Sequence, residues 1–480
     1  MNLFKNHPPE LKRLFFVEMW ERFSYYGFGA ILVLFMTADS NNGGLGESND
    51  YAYLVYSYYV AAIFILCVPL SLLADSFLGY ANSVFIGGSM ILMGHISLSL
   101  PLNNSFYVGL VLIAIGTAFL KPSISSMVGE LYSQRENSLK SMGMTLFYLS
   151  VSLGGLIGPF IIRRAQVWDY FSPSASWHFA FSLAAFGMFI ALSLYIKVWR
   201  SDKKIISKVR YSFKQLTFIT LISIFLLFFL IYGTINFPRT LLALYILIPV
   251  GVVYAWCNTR FERLSVIGLM FLISVVISAI LTQMYTFLIH FIKNFVNLSL
   301  FGFSIHETDF LSYFSGFIIL LGFVEHYIGK GSAFLKSKHV FYLGLLFAAT
   351  GLGIIGISSF IADEQKIHPI VILIAYFLIA LGEITIIPKA QSLMNDISNT
   401  ENKIFTMSIW FVGAGIGATL SKLVSKVLNL DKAVSNDLNQ VGRTLLFESV
   451  FMVGFALILF VFSTKISKRF TEIKATILKD

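Results

Sequence analysis

Three charged residues lie close together at the start of an otherwise apolar segment, where VEMWERFSYYG leads into FGAILVLFM. Glu18, Glu21 and Arg22 are spaced so that they share one face of a helix, and Tyr25 and Gly29 continue that face. A carboxylate beside an arginine in this position could bind and release a proton. The same geometry would also suit an ion pair that only orients the helix.

Two further charges stand alone within apolar segments in the two halves of the chain. Lys121 lies in GTAFLKPSISSMVGELY, and Glu383 lies in LIALGEITIIPKAQ. An ionisable side chain in the lipid interior is costly, so such residues face protein or water and mark functional sites. A cation and an anion in opposite halves could bind the two charged ends of a zwitterion. Alternatively, Lys121 and Glu383 could pair directly as a gate, and both arrangements can occur in turn if the protein alternates between two conformations.

Asp75 and Trp410 are weaker candidates. Asp75 ends the second apolar segment in SLLADSFLGY, which indicates a gating or loop-structuring residue rather than a ligand. Trp410 is expected in the core, although an aromatic side chain there could also line a cavity. The sequence contains no HExxH or GxSxG motif, and its two cysteines, Cys67 and Cys257, form no CxxC motif. We therefore expect neither an enzyme nor a metal site nor a bound cofactor.

The helices that position these residues are predicted to span a lipid bilayer. The sequence is 57% hydrophobic and 12% charged, with a mean hydropathy of +0.78 and 48 phenylalanines in 480 residues. A soluble core cannot bury that much apolar surface. Segments of roughly 20 apolar residues recur about fourteen times, which predicts an all-α membrane protein with about fourteen transmembrane helices.

The net charge of +10 does not indicate a nucleic-acid partner, because the basic residues lie in short loops between apolar segments. If the amino terminus is cytoplasmic, most loop lysines and arginines lie on the cytoplasmic side, as the positive-inside rule requires. Both termini are therefore predicted to be cytoplasmic. The first fifteen residues contain no A-x-A cleavage site, so we expect no removable signal peptide.

The order of the segments predicts two six-helix bundles. The first bundle occupies residues 1–200 and the second residues 263–480. Residues 201–262 contain two inserted helices and most of a basic linker, KVWRSDKKIISKVRYSFK. This is the arrangement of a major facilitator fold with an extra helical pair between its halves. The loops leave no room for a soluble domain.

Several stretches resemble the proton-dependent oligopeptide transporter (POT) family of the major facilitator superfamily. They are HPPELKRLFFVEMWERFSYYG with its E-x-x-E-R motif, LLADSFLG, FLKPSISSMVGELY, TLFYLSVSLGGLIGP, LGEITIIP and SIWFVGAGIG. The resemblance covers nearly the whole chain. It implies a bacterial transporter of the cytoplasmic (inner) membrane that imports di- and tripeptides with protons as the coupling ion. It also implies that the protein functions as a monomer.

The resemblance also assigns roles to single residues. Lys121 would hold the carboxylate of the peptide, and Glu383 would hold its amino group. Proton coupling would involve Glu18, Glu21 and Arg22, together with Glu383. Further residues would line the substrate cavity, namely Tyr25, Tyr26, Phe64, Ser152, Thr282, Gln283 and Trp410.

The sequence departs from the family pattern at several positions. Gly29 stands where an arginine is usual, Phe64 replaces a tyrosine, and Ser152 replaces an asparagine. In the first helix of the second bundle, Thr282 and Gln283 stand where the family has a glutamate followed by a glutamine. An alternative function is therefore export, facilitated diffusion or transport of a non-peptide metabolite, with altered proton coupling.

Overall fold

The computed structural model describes residues 4–477, apart from 103–104, 133–136, 168–169, 202–260, 286, 301, 306, 308, 329–338, 363–365, 399–402 and 428–436. The described residues are mostly helical, and the predicted all-α architecture is confirmed. The two inserted helices predicted in residues 201–262 fall within the gap at 202–260, so this prediction lies outside the described residues.

Thirteen α-helices, a 3-10 turn (Ser40–Asn42), a π-helical turn (Ala74–Leu78) and one short hairpin make up the regular structure of the described residues. The helices are α1 (Pro9–Thr37), α2 (Asn49–Leu73), α3 (Gly79–Ser99), α4 (Ser105–Glu130), α5 (Asn137–Gln166), α6 (Pro173–Ser201), α7 (Phe261–Tyr285), α8 (Phe287–Phe295), α9 (Asp309–Ile328), α10 (Val340–Ile361), α11 (Pro369–Ile397), α12 (Lys403–Val427) and α13 (Leu438–Ile477). Strands β1 (Ser299–Leu300) and β2 (Phe303–Ser304) pair antiparallel.

Nine stretches of described helix are long and apolar enough to cross a membrane. The stretch Leu438–Thr464, in α13, has a mean hydropathy of 2.5, yet only 28% of it is buried inside the protein. An apolar helix that the protein leaves uncovered needs lipid around it. The chain is therefore a multi-pass membrane protein.

The chain divides into two compact units. Unit 1 contains Met1–Phe271 and Gln391–Gly415, and unit 2 contains Leu272–Ala390 and Ile416–Asp480. The end of α11 and the first half of α12 thus pack with helices from the first half of the sequence. The predicted bundle boundaries near residues 200 and 263 stay a prediction.

Glycines allow the helices of unit 1 to approach closely. Gly154 of α5 lies against the Cβ of Arg22 and the carbonyl of Met19 in α1, and Gly158 lies against the carbonyl of Phe23. Apolar side chains gain little by leaving lipid, so small residues that permit close van der Waals contact are favoured between membrane helices. The contact with α5 therefore holds α1 in place at a point close to the charged residues of α1.

The same kind of contact joins α3 to α4 and α10 to α11. In unit 1, Gly87 lies against the carbonyl of Gly116, and in unit 2, Gly344 lies against the carbonyl of Gly382. These contacts set the rotation of α4 and α11, the two helices that carry the isolated charges noted in the sequence.

We predict that Gly154→Ala destabilises the protein and that Gly29→Ala does not. A Cβ at Gly154 would lie 2.5 Å from the Cβ of Arg22 and 2.6 Å from the carbonyl oxygen of Met19, whereas no atom of the described residues lies within 4 Å of a Cβ at Gly29. Overpacking of this kind costs about 1–3 kcal/mol. The melting temperature in detergent should fall only for Gly154→Ala. It can be measured by size-exclusion chromatography of samples heated to increasing temperatures. Equal melting temperatures for the two variants would contradict the close α1–α5 contact.

Candidate functional site

The charged residues of α1 form one buried cluster with Lys121 of α4. Glu18 Oε1 lies 3.3 Å from Arg22 Nε and 3.1 Å from Lys121 Nζ. Arg22 also donates to both carboxylate oxygens of Glu21, through Nη2 at 2.5 Å and through Nε. Glu18 is 0% exposed and Glu21 is 1% exposed. The helical face predicted from the spacing of these residues is therefore buried in protein.

This cluster contains two carboxylates and two cations, so its formal charge is zero when all four groups are ionised. Such balance matters in a membrane interior, because a buried charge without a partner is strongly destabilising. The second oxygen of Glu18, Oε2, has no hydrogen-bond partner within the described part of the chain. A proton added to either carboxylate would leave one excess positive charge. Protonation and the positions of the cations are therefore linked.

Tyr25 and Tyr26 lie beside the guanidinium group of Arg22. Its Cζ atom is 4.7 Å from the ring centre of Tyr25 and 5.9 Å from that of Tyr26. Both distances are within the range of cation–π attraction. Both tyrosines are half-buried. The structure thus brings two predicted cavity residues together with the residues predicted to act in proton coupling.

Contacts with α5 and α6 hold the charged part of α1 in place. Gly154 of α5 lies against Arg22, and Ser24 Oγ donates to the carbonyl of Ala184 in α6 at 2.6 Å. A helix that is held at two neighbouring residues cannot rotate freely. These two contacts therefore help to aim the carboxylate of Glu18 at Lys121.

Glu383 belongs to unit 2, whereas Lys121 belongs to unit 1. Glu383 is 5% exposed. The residue before it, Gly382, packs against Gly344 of α10, so Glu383 projects about 100° around α11 from that contact. Within unit 1, the acidic partner of Lys121 is Glu18. The joint binding of a zwitterion by Lys121 and Glu383 stays a prediction.

Two predicted site residues near the end of α7 have different surroundings. Thr282 Oγ1 donates to the carbonyl of Ser278, one turn earlier, at 2.8 Å. Gln283 is 4% exposed, and its Nε2 lies 2.9 Å from each carboxylate oxygen of Glu448 in α13. Glu448 was not predicted from the sequence. An acidic residue within the apolar stretch LLFESVFMVGF was the signal that could have identified it.

Phe64 lies in a line of contacts between α2 and α12. It packs against Gly415, and Ser71 Oγ hydrogen-bonds with Ser408 Oγ at 3.1 Å. The contacts are seven residues apart on each helix, which keeps them on one face of two antiparallel helices. Two further predicted cavity residues of unit 1 are buried, namely Ser152 and Trp410.

Asp75 caps the first turn of α12. It lies in a π-helical turn, Ala74–Leu78, between α2 and α3. Its Oδ1 and Oδ2 accept hydrogen bonds from the backbone N–H groups of Ile404 and Phe405, at 3.3 and 2.9 Å. The first N–H groups of a helix have no partner within it, and a negative charge is favoured there. The residue predicted to act in gating or loop structure thus holds the start of a distant helix.

Two ion pairs in unit 1 lie at the ends of helices that are distant in the sequence. Lys140 Nζ is 2.6 Å from Asp396 Oδ1, and Lys403 pairs with Glu130. They connect the ends of α4 and α5 with the ends of α11 and α12. Neither pair was predicted from the sequence, since the partners are 256 and 273 residues apart. Among the residues that the structure describes, no group of three or more His, Cys, Asp or Glu side chains could hold a metal ion.

The chain is similar to known transporters over most of its length. The sequence profile of the POT family matches residues 81–443. A di-/tripeptide transporter of Lactococcus lactis subsp. cremoris is 28% identical over 455 residues, which cover 88% of this chain and 90% of the relative. The uncharacterized transporter YclF of Bacillus subtilis (strain 168) is 29% identical over 448 residues, which cover 88% of this chain and 89% of the relative.

The fold is also that of solved POT transporters. The chain superposes with a TM-score of 0.77 on the crystal structure of a POT family transporter in complex with a thioalcohol-conjugated peptide. The two sequences are 25% identical, and the match covers 96% of this chain and 98% of that chain. The predicted major facilitator fold is therefore confirmed.

We predict that Asp75→Ala destabilises the protein and that Asp39→Ala does not. Asp75 accepts two backbone hydrogen bonds at the start of α12. Asp39 also precedes a helical turn, Ser40–Asn42, but it is exposed and its side chain caps nothing. Loss of a helix cap costs about 0.5–2 kcal/mol. Thermal melting in detergent should therefore separate the two variants, and unchanged melting of Asp75→Ala would argue against the cap.

Proposed function

The chain belongs to the POT family, and we propose that it imports di- and tripeptides by proton symport. Members of this family transport peptides across membranes, and the chain is a transporter rather than an enzyme. We also propose that it lies in a bacterial cytoplasmic (inner) membrane with both termini in the cytoplasm, and that it works as a monomer. Protons serve as the coupling ion, and no bound cofactor is needed.

The observation that carries this proposal is the buried contact between Lys121 and Glu18. Lys121 Nζ, the group proposed to bind the carboxylate of the peptide, lies 3.1 Å from Glu18 Oε1. While Glu18 is ionised, a peptide carboxylate must compete with it for Lys121. Protonation of Glu18 removes the competitor. Lys121 is then free to bind the peptide.

Charge balance also links the proton to the peptide. The cluster around Arg22 is neutral when its four groups are ionised. A proton alone would leave an excess positive charge, and a peptide carboxylate alone would leave an excess negative charge. Binding of both restores neutrality, so each favours the binding of the other. Arg22 contacts Glu18 and Glu21, and it can therefore pair with whichever carboxylate remains ionised.

The amino group of the peptide is assigned to Glu383 of α11. Its carboxylate is buried, and an ionised carboxylate in that position gains by binding a cation. We propose that Asp75 controls the position of α12 during alternating access. The substrate cavity is proposed to be lined by Tyr25, Tyr26, Phe64, Ser152, Thr282, Gln283 and Trp410. Two fixed charges recognise the peptide backbone and leave the peptide side chains to apolar space, so broad specificity follows.

A second candidate is export, facilitated diffusion or transport of a non-peptide metabolite, with altered proton coupling. Thr282 carries no charge, and its hydroxyl bonds within its own helix. Gly29 stands at the position where the resemblance leads us to expect an arginine, and no described residue lies within 4 Å of a Cβ there. These changes remove one carboxylate and one cation from the expected set, which favours a substrate with fewer charge contacts.

We predict that Lys121→Ala and Glu383→Gln each lower dialanine uptake at least about tenfold, because a lost charge-assisted hydrogen bond costs about 1.5–3 kcal/mol. The measurement is uptake of radiolabelled dialanine into proteoliposomes with an imposed inward proton gradient. Lys293→Ala and Glu307→Gln are matched controls, since both residues lie outside the proposed site, Lys293 on α8 and Glu307 in a loop. The controls should transport like the wild type.

Two outcomes would separate the candidate functions. Gradient-stimulated uptake that is lost only in Lys121→Ala and Glu383→Gln supports a peptide symporter. If the wild type shows no uptake, and no di- or tripeptide competes for the site, the protein carries a different substrate on the same fold.

A further inference from the structure

A second carboxylate lies inside unit 2, and no ion pair of the described residues involves it. Glu448 belongs to Leu438–Thr464, one of the stretches that can cross the membrane. Both of its carboxylate oxygens accept from Gln283 Nε2, at 2.9 Å each. An ionised carboxylate whose partner is a neutral amide is costly within a membrane-spanning stretch, so its presence calls for a functional reason.

Packing of α13 turns Glu448 toward α7 rather than toward lipid. The next residue, Ser449, donates to the carbonyl of Ala349 in α10 at 2.8 Å, whereas the preceding residue, Phe447, is 67% exposed. Residues one and two turns away on the face of Glu448 are buried, namely Val441, Leu445 and Met452. Glu448 therefore points into the unit, where it meets Gln283.

The side-chain amide of Gln283, the partner of Glu448, uses its nitrogen but not its oxygen in hydrogen bonds of the described residues. Gln283 is 4% exposed, and its Oε1 has no hydrogen-bond partner among the described residues. An ionised Glu448 has no hydrogen to donate and can only accept from Nε2. A protonated Glu448 could donate its O–H to Oε1 and still accept from Nε2. This arrangement closes a ring of two hydrogen bonds and leaves no buried acceptor unsatisfied.

We propose that Glu448 and Gln283 form a proton-binding site inside unit 2, which takes up one proton on the carboxylate and completes the acid–amide pair. This inference rests on the proposed function only for the use of the proton, which is to drive symport. The site adjoins Thr282, the position at which the resemblance predicts a glutamate that this sequence lacks.

Among the side chains that the structure describes, few other ionisable groups lie near the site. The only ionisable residue of α10 is Tyr342, which contacts Phe460, about three turns along α13 from Glu448. On α13 itself, Arg443 precedes Glu448 by five residues and is exposed.

Within the described side chains, the neighbouring parts of α7 and α12 add one ionisable group. Leu272–Tyr285, the part of α7 in unit 2, carries Tyr285 as its one ionisable residue. The described residues 416–421 of α12, which approach α7 at Val275, carry none. Among these described side chains, Gln283 is therefore the polar group in direct contact with Glu448.

Infrared difference spectra of the full-length protein in lipid, taken between acidic and alkaline buffer, test the site directly. The wild type should show the carbonyl band of a protonated carboxylic acid that Glu448→Gln lacks and that the loop variant Glu307→Gln retains. Glu448→Gln is expected to fold, because glutamine can donate to Gln283 Oε1 as the protonated acid would. Gln283→Leu keeps the acid but removes its partner, so the band should shift. An unchanged band in Glu448→Gln overturns the site.

Dialanine transport separates the site from the proposed function. Glu448→Gln should lose accumulation driven by an inward proton gradient, yet keep the exchange of labelled for unlabelled dialanine, because exchange requires no net proton movement. Accumulation equal to the wild type, with the infrared band lost, would overturn the use of this site in symport. If the wild type itself takes up no dialanine, the proposed function fails, while the infrared band still decides whether Glu448 binds a proton.

Discussion

A charge buried in a membrane protein must be neutralised within the protein, and the surroundings of Arg22 follow from that constraint. Its guanidinium group lies against the carboxylates of Glu18 and Glu21 and against the ring of Tyr25, and Glu18 in turn pairs with Lys121. Because charges from two helices must meet, α1 and α4 cannot rotate or slide independently. The packing of unit 1 has to satisfy this one arrangement of charges.

Small residues next to the charged ones make such arrangements possible. Gly154 lets α5 approach α1 beside Arg22. In unit 2, Gly382 directly precedes Glu383 and packs on α10, and Ser449 directly follows Glu448 and bonds to α10. Helices in lipid depend on close approach and polar contacts for association. A close contact one residue away therefore fixes the direction of each carboxylate without using the carboxylate itself.

The sequence could predict helices and the charged face of α1, because spacing along one helix is a local property. It could not choose a partner for Lys121, and Glu383 was one alternative. In the structure Glu18, which lies 103 residues away in the sequence, takes that place within unit 1. The cap by Asp75 on α12 and the contact of Glu448 with Gln283 depend on how distant segments pack. No periodic pattern in a single sequence carries that information, and the one signal that could have identified Glu448 is the presence of an acid in an apolar stretch.

The two carboxylate environments suit different steps of a proton-coupled cycle. In the proposed cycle, Glu18 takes up a proton and gives up its attraction to Lys121 and Arg22, which frees a cation for the carboxylate of the substrate. Glu448 faces a neutral amide, so its protonation adds a hydrogen bond and frees no cation. The first chemistry ties the proton to the substrate, whereas the second binds a proton whether or not substrate is present. With Thr282 in α7, the proposed proton site of unit 2 therefore places its acid, Glu448, on α13 instead.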